Sequence, residues 1–379
     1  MSKKIIKACY TQIVIMKIKT KRIIITGTHL TPALELIRQL QEDKQYNWQI
    51  FYIGRQKNSS VDDTPSIESQ IIPKLNITFF PINCGKLDRR WFPNTIKGLP
   101  QSISGIFSAI KLVNKIKPDV VVSFGGYVSV PVIISSFFKK IPSITHEQTL
   151  TNSLTTKINS RFVTKIALYF DHKDQINQLP KNKVVVTGNL LRYQLFHPIE
   201  TSFTKKIKTI TQKFIFITAG NQGSHSINLI IKKISQEMPE YFFIHQTGNN
   251  DFSEFKKLEK IQNNYLCFDY INTNDFGFLL KNSNLIISRA GANTCQEIVA
   301  LNQKSILIPL LVSQQDEQLL NAKLVKSLLP EKTEILLQNQ LSSKKIKIII
   351  KKLIIKDNQS NQKNINTNYK LLNLINEII

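Results

Sequence analysis

Residues 284–321, NLIISRAGANTCQEIVALNQKSILIPLLVSQQDEQLLNA, limit the possible folds more than any other stretch. Leu285–Ser288 is a short apolar run that stops at Arg289, and Gly291 then lets the backbone turn sharply into a helix beginning near Thr294. A second apolar run, Ser305–Pro309, leads to a loop with Gln314, Gln315, Asp316, Glu317 and Gln318, and then Asn321. Two adjacent strand-to-helix loops therefore face one crevice. The first-turn amides of such a helix lack intrahelical partners and carry the positive dipole end, so Ala292, Asn293 and Thr294 offer donors to a diphosphate. Glu297 fits two roles: it accepts from ribose hydroxyls, or it closes a capping box with Thr294.

At 379 residues the chain is long enough for two domains, each with its own core. It is 42% hydrophobic without an apolar run approaching the ~18 residues of a spanning helix, which reads as soluble and globular. A formal charge of +25 calls for nucleic acid, an anionic membrane face or phosphorylated ligands. Much of the excess is Lys scattered among Ile and Asn, without the Arg and aromatic interleaving of a nucleic-acid groove, so no nucleic acid is expected. Cys9, Cys84, Cys267 and Cys295 have neither zinc nor disulfide spacing, which places the chain in a reducing cytoplasm. The basic start has a broken apolar segment and no cleavage pattern, so residues 1–20 read as an extension and Met16 as an alternative start.

From Arg22 the chain alternates regularly. Arg22–Thr26 reads as a buried strand, Pro32–Gln41 as a helix with Pro at its first position, and Gln49–Ile53 and Ile77–Ile82 as further strands. The stretch KLDRRWFPNTIKGLPQSISGIFSAI sets Trp91, Phe92, Ile103 and Phe107 beside Arg89 and Arg90, a pattern for an interfacial membrane contact or for ordinary core packing. The strand Asp119–Phe124 runs into Gly125-Gly126-Tyr127, and Ser143–Thr145 into His146-Glu147-Gln148-Thr149, polar groups where ligands sit in a parallel sheet or where a loop is braced. Gly188-Asn189 with Arg192 looks like a hinge. The pattern then restarts: Phe214–Thr218, the turn AGNQGS, and a helix over Ser226–Met238 make a phosphate-loop geometry. KKIKIIIKKLIIK reads as an amphipathic surface helix over 341–356, followed by an Asn-rich linker and a last helix from Tyr369.

The motifs TGTHLTPALEL, KPDVVVSFGGYVSVP, ITHEQT, VTGNLLR, AGNQGSHSIN, FIHQTG, SRAGANTCQEI and DEQLLNA, in this order from about Arg22 to Pro330, resemble the MurG family of glycosyltransferases. The resemblance implies an α/β GT-B fold, two Rossmann-like doubly wound domains with an interdomain cleft. It divides the chain into an acceptor and membrane-facing domain over 21–187, a UDP-GlcNAc-binding domain over 188–340, and C-terminal helices over 341–379. It also implies transfer of N-acetylglucosamine from UDP-GlcNAc to an undecaprenyl-diphosphate-linked muramoyl-pentapeptide, at the cytoplasmic face of the membrane. No cofactor is obligatory, with a divalent cation at most an aid.

Carried over by position, the donor would meet Arg192, Asn221, Gln222, Gly223, Ile271 at the uracil, Ala292, Asn293 and Thr294 at the diphosphate, Glu297 at the ribose, and Gln318 and Asn321 at the sugar. Thr26, Gly27, Thr28 and Thr149 would approach the donor from the other domain. His29, with Gly125, Gly126 and Tyr127, would face the acceptor, and His29 is the candidate base. Three positions depart from the family. Ile24-Ile25-Thr26-Gly27-Thr28-His29 stands for GGTGGH, Thr149 replaces the Asn of HEQN, and Glu317 replaces a His or Gln. A UDP-sugar 2-epimerase, a transferase with another lipid acceptor and a non-catalytic basic binder are the competing readings.

Overall fold

The computed structural model describes residues 18–57, 65–84, 99–220, 223–310, 316–355 and 369–379, with side chains from Ser104 onward in the helix that starts at Leu99. Among them the first half runs β1 (Thr20–Gly27), α1 (Leu30–Gln41), β2 (Asn47–Gly54), α2 (Ile67–Ile71), β3 (Thr78–Pro81), α3 (Leu99–Ile116), β4 (Val120–Phe124), α4 (Ser129–Phe138), β5 (Ser143–Glu147), α5 (Leu154–Asn159), β6 (Lys165–Leu168), α6 (Lys173–Asn177) and β7 (Val184–Val186). The second runs α7 (Ser202–Lys208), β8 (Phe214–Thr218), α8 (His225–Glu237), β9 (Phe242–Gln246), α9 (Asn249–Lys256), β10 (Tyr265–Phe268), α10 (Thr273–Asn282), β11 (Leu285–Ser288), α11 (Ala292–Leu301), β12 (Ser305–Leu307), α12 (Glu317–Leu328), β13 (Thr333–Ile335), α13 (Ser343–Ile355) and α14 (Lys370–Ile378).

The near-continuous apolar runs VVVSF, FIFIT and LIIS are buried along their whole length, as strands covered on both faces must be. Every pairing between these strands is parallel. One sheet has the order β3-β2-β1-β4-β5-β6-β7 and the other β10-β9-β8-β11-β12-β13. In each, the order reverses beside the first strand, between β1 and β4 and between β8 and β11. Loops leaving the carboxyl ends at such a reversal diverge to opposite faces and open a crevice. Helix starts differ slightly from the sequence expectation: α1 begins at Leu30, so Pro32 stands third, still in the first turn where a missing N–H costs no helix bond.

The last two helices do not form a unit of their own. On α13, Ile346, Ile350, Leu353 and Ile354 enter the core of the second sheet with Ile231 and Ile234. On α14, Leu371, Leu372, Leu374 and Ile375 enter the core of the first sheet beside Leu36, Ile37 and Leu40 of α1. This helix therefore packs on the sheet that holds the first described strand. Ile375 is fully buried there, so Ile375→Ala is expected to lower stability by about 2–4 kcal/mol, read from urea unfolding by fluorescence.

Candidate active site

At the first sheet's reversal the two glycine-bearing loops interlock. Thr28 N donates to Gly125 O at 3.2 Å and His29 N to Phe124 O at 3.4 Å. A Cβ on Gly27 would stand 2.7 Å from Gly125 O, and one on Gly126 would stand 2.3 Å from Thr28 Oγ1. The departure of Thr28 from the family's glycine is thus accommodated, because Gly126 has no side chain to meet it. Gly125 leaves room for the edge of the His29 ring: a Cβ there would lie 3.0 Å from its Cδ2 and 3.2 Å from its Nε2. Burial pulls the His29 pKa down, opposed by the charge of Glu147 and helped by Arg55, so the ring is neutral at neutral pH. Tyr127 shares its side chain with Arg55, which also pairs with Glu68 at 2.8 Å.

The end of β5 is a braced loop. Glu147 accepts from Thr149 N and Oγ1, Ser153 N and Thr156 Oγ1, at 3.2, 2.8, 3.1 and 2.6 Å. The Thr149 hydroxyl is held within this loop, 2.8 Å from Glu147 Oε1 and 2.7 Å from Thr151 O. His146 is buried with Nε2 3.1 Å from Gly188 O, tying β5 to the segment that follows β7. Burial lowers its pKa from 6.5 to about 4. In the second domain His245, held between Tyr265 Oη and Asn228 Oδ1, is lowered to about 3. Unfolded histidines take up protons near pH 6.5 and these folded ones do not, so the unfolded state binds more protons as the pH falls. Stability is expected to be full above pH 6.5 and to drop progressively down to about pH 3, with a shallower slope in His146→Gln, measured as Tm against pH.

At the second sheet's reversal Gly291 is the cap of α11, and neither it nor Gly220 has any atom within 4 Å of where a Cβ would project. The helix starts at Ala292, two residues earlier than expected, so Thr294 is its third residue and Glu297 lies a turn further in, outside any capping box. Glu297 is fully buried, and neither carboxylate oxygen has a hydrogen-bond partner among the described residues. Arg192 Nε stands 2.8 Å from Glu297 Oε1 as an ion pair whose N–H is not aligned for a hydrogen bond, and its guanidinium lies 4.3 Å over the Phe276 ring. Burial raises the Glu297 pKa, against the pull of Arg192. Ile271 is buried in the core with Phe276. Gln318 Oε1 accepts from Leu310 N, and Asn321 Nδ2 donates to Ala290 O, so both tie α12 to the loops around α11.

Gly223 has φ +71°, and a Cβ there would come within 1.8 Å of Thr247 O. The turn after β8 can rest on the loop after β9 only without a side chain. Gly223→Ala is expected to displace that turn and weaken UDP binding at least about tenfold, measured by calorimetry.

The two domains meet through polar side chains. Gln296 on α11 donates to Gln148 O at 2.9 Å, and its Oε1 accepts from Asn189 Nδ2, which also reaches Asn293 Oδ1 at 3.3 Å. Gln148 Nε2 lies 2.7 Å from His29 Nδ1. Neighbouring residues of the segment between the sheets grip opposite halves: Arg192 pairs with Glu297, while Tyr193 N donates to Glu35 on α1 at 3.2 Å. Asn189, Gln148 and Gln296 were not among the expected site residues. Gln148 carried a signal, since it lies within the polar cluster after β5; Gln296, mid-helix, carried none. Arg289 was also missed. It donates to Ser224, Ile308 and Gln338, and pairs with no carboxylate among the described residues.

Asn221 and Gln222 lie outside the described residues, as do Trp91, Phe92 and the side chain of Ile103. Phe107 is 63% exposed. No helix of the described residues is long and apolar enough to cross a membrane. Among the described residues no three His, Cys, Asp or Glu side chains cluster as metal ligands.

Two Rossmann-ordered sheets, each presenting its reversal loops to a shared seam, have the architecture of the GT-B glycosyltransferases. The N-terminal domain of glycosyltransferase family 28 matches residues 23–168, and its C-terminal domain matches 214–377. A Clostridium botulinum UDP-N-acetylglucosamine--N-acetylmuramyl-(pentapeptide) pyrophosphoryl-undecaprenol N-acetylglucosamine transferase is 35% identical over 80% of this chain and 82% of its own. A Borreliella burgdorferi protein of the same name is 34% identical over 79% and 78%. The chain belongs to the MurG family within glycosyltransferase family 28. Acinetobacter baumannii MurG superposes with a TM-score of 0.64 at 21% identity, covering 94% of this chain and 99% of that one. A Neisseria meningitidis UDP-GlcNAc 2-epimerase gives 0.61 at 16%, covering 94% and 100%. These two structures speak to the fold alone.

Proposed function

We propose that this enzyme moves N-acetylglucosamine from UDP-N-acetylglucosamine to the 4-hydroxyl of an undecaprenyl-diphosphate-linked muramoyl-pentapeptide, with inversion at the anomeric carbon. The names of the sequence relatives support the reaction. The observation that carries it in this molecule is the contact across the seam, where the helix facing the donor crevice holds, through Gln296, the residue that holds His29.

The acceptor hydroxyl attacks from the face opposite the UDP while His29, neutral in its buried setting, takes the proton. The departing diphosphate is met by the amides of Ala292, Asn293 and Thr294 and by the charge of Arg192. Glu297, whose carboxylate oxygens accept no hydrogen bond among the described residues, receives the ribose hydroxyls. The first domain meets the cytoplasmic face of an anionic membrane through α3 and α4. Phe107, Phe137 and Phe138 are 63, 48 and 69% exposed there, and Lys139 and Lys140 follow directly.

The test is transfer of labelled N-acetylglucosamine to a short-chain analogue of the polyprenyl-diphosphate acceptor. Product only when both substrates are present supports this reading. Conversion of UDP-N-acetylglucosamine to its 2-epimer without acceptor would replace it by the epimerase reading, and transfer only to a different lipid would replace the acceptor.

A further inference from the structure

Gln148 stands where the halves of the site meet. It is 6% exposed, its Nε2 lies 2.7 Å from His29 Nδ1, its carbonyl accepts from Gln296 Nε2 at 2.9 Å, and its Oε1 is buried without a hydrogen-bond partner among the described residues. A neutral imidazole carries one N–H, and the group on one ring nitrogen decides what the other offers. With the amide nitrogen on Nδ1, the ring proton sits on Nε2, a donor suited to an anionic oxygen. With the amide oxygen on Nδ1, the proton sits there and Nε2 presents a lone pair that can accept one. A half-turn of the amide exchanges the two states with hardly any movement of heavy atoms. It sacrifices no second bond, because Oε1 has none.

We propose that Gln148 is the positioning residue of His29, its amide turning oxygen toward Nδ1 in the reacting complex so that Nε2 can take the acceptor's proton. This rests on the reading of His29 as base. As the new C–O bond forms and the bond from the anomeric carbon to the diphosphate breaks, UDP leaves with the electron pair. The hydroxyl proton moves to Nε2, the resulting imidazolium donates from Nδ1 to Gln148 Oε1, and the proton returns to solvent after release. Gln296 holds the Gln148 backbone from α11, so the helix that meets the donor also sets the place of the base. The charged or titratable groups facing His29 are Glu147 and His146 from β5 and Arg55 after β2, with Tyr127 bound to Arg55.

The experiment compares the full-length enzyme with Gln148→Met and Gln148→Glu, by kcat against pH and by nitrogen-15 spectra of the His29 ring in the UDP complex. Gln148→Met is expected to lower kcat about 30-fold, with KM for UDP-N-acetylglucosamine within about twofold, and to leave the ring in mixed tautomers. Gln148→Glu, which can only accept, is expected to retain most of kcat, hold the proton on Nδ1 and raise the acid limb of the profile by about one pH unit. Equal losses in both variants with unchanged pH profiles would make Gln148 merely structural and overturn the proposal. So would a ring spectrum that Gln148→Met does not alter. Full activity in His29→Ala would instead remove the base assignment, and the ring spectrum, read without turnover, would still decide whether Gln148 sets the tautomer.

Discussion

His29→Ala is expected to reduce kcat for transfer about a thousand-fold while UDP affinity stays within about twofold of wild type. The asymmetry follows from position. His29 leaves β1 at the first sheet's reversal, whereas Glu297, Arg192 and the start of α11 belong to the other crevice. The ring is only partly exposed, its main-chain N–H bond to Phe124 O does not need the side chain, and Gly125 keeps its Nε2 edge open. Removing it therefore takes away a proton acceptor without dismantling the loop. In the wild-type enzyme kcat should fall only below pH 6.5, because burial lowers the pKa of the ring. Pre-steady-state transfer and calorimetric UDP binding, run on the same preparations, check both halves. A variant within tenfold of wild-type kcat would leave His29 a ligand of the acceptor diphosphate and not its base.

Glu297→Gln is expected to cost about two to three orders of magnitude in kcat/KM for UDP-N-acetylglucosamine, or about 3–4 kcal/mol. Both carboxylate oxygens are buried without hydrogen-bond partners, while the Arg192 charge stands 2.8 Å away. An amide offers one acceptor in place of two and leaves the guanidinium without its counter-charge. The decisive comparison uses 2′-deoxy-UDP. Wild type should bind it about tenfold more weakly than UDP, and Glu297→Gln should scarcely distinguish the two. A variant that discriminates as well as wild type would move the ribose contact elsewhere.

Much of the site was legible because its local parts are made by neighbours in sequence. An apolar run followed by glycine and a helix start is a strand, a turn and a free set of amides wherever it folds, and Leu285–Ser288 with Gly291 and Ala292 does this. The amphipathic spacing of Ile346, Ile350 and Leu353 likewise announced a helix packed on a core. That the buried Glu147 holds the hydroxyl of Thr149, two residues on, is a matter of loop geometry that residue types alone do not record. Thr28 looked like a defect in a glycine loop, and Gly126, nearly a hundred residues on, absorbs it.

From its sequence alone this chain specifies two parallel sheets, the loops at their carboxyl ends and the family to which they belong, because strand burial and turn chemistry are set within a few residues. Only the tertiary structure decides that Arg192 pairs with Glu297, that the last helix returns to the first sheet, and that Gln296 holds Gln148 against His29. Those contacts join residues far apart in the chain, and no local propensity records them; they exist because packing two buried faces together leaves each polar group only the partners that the fold brings within reach.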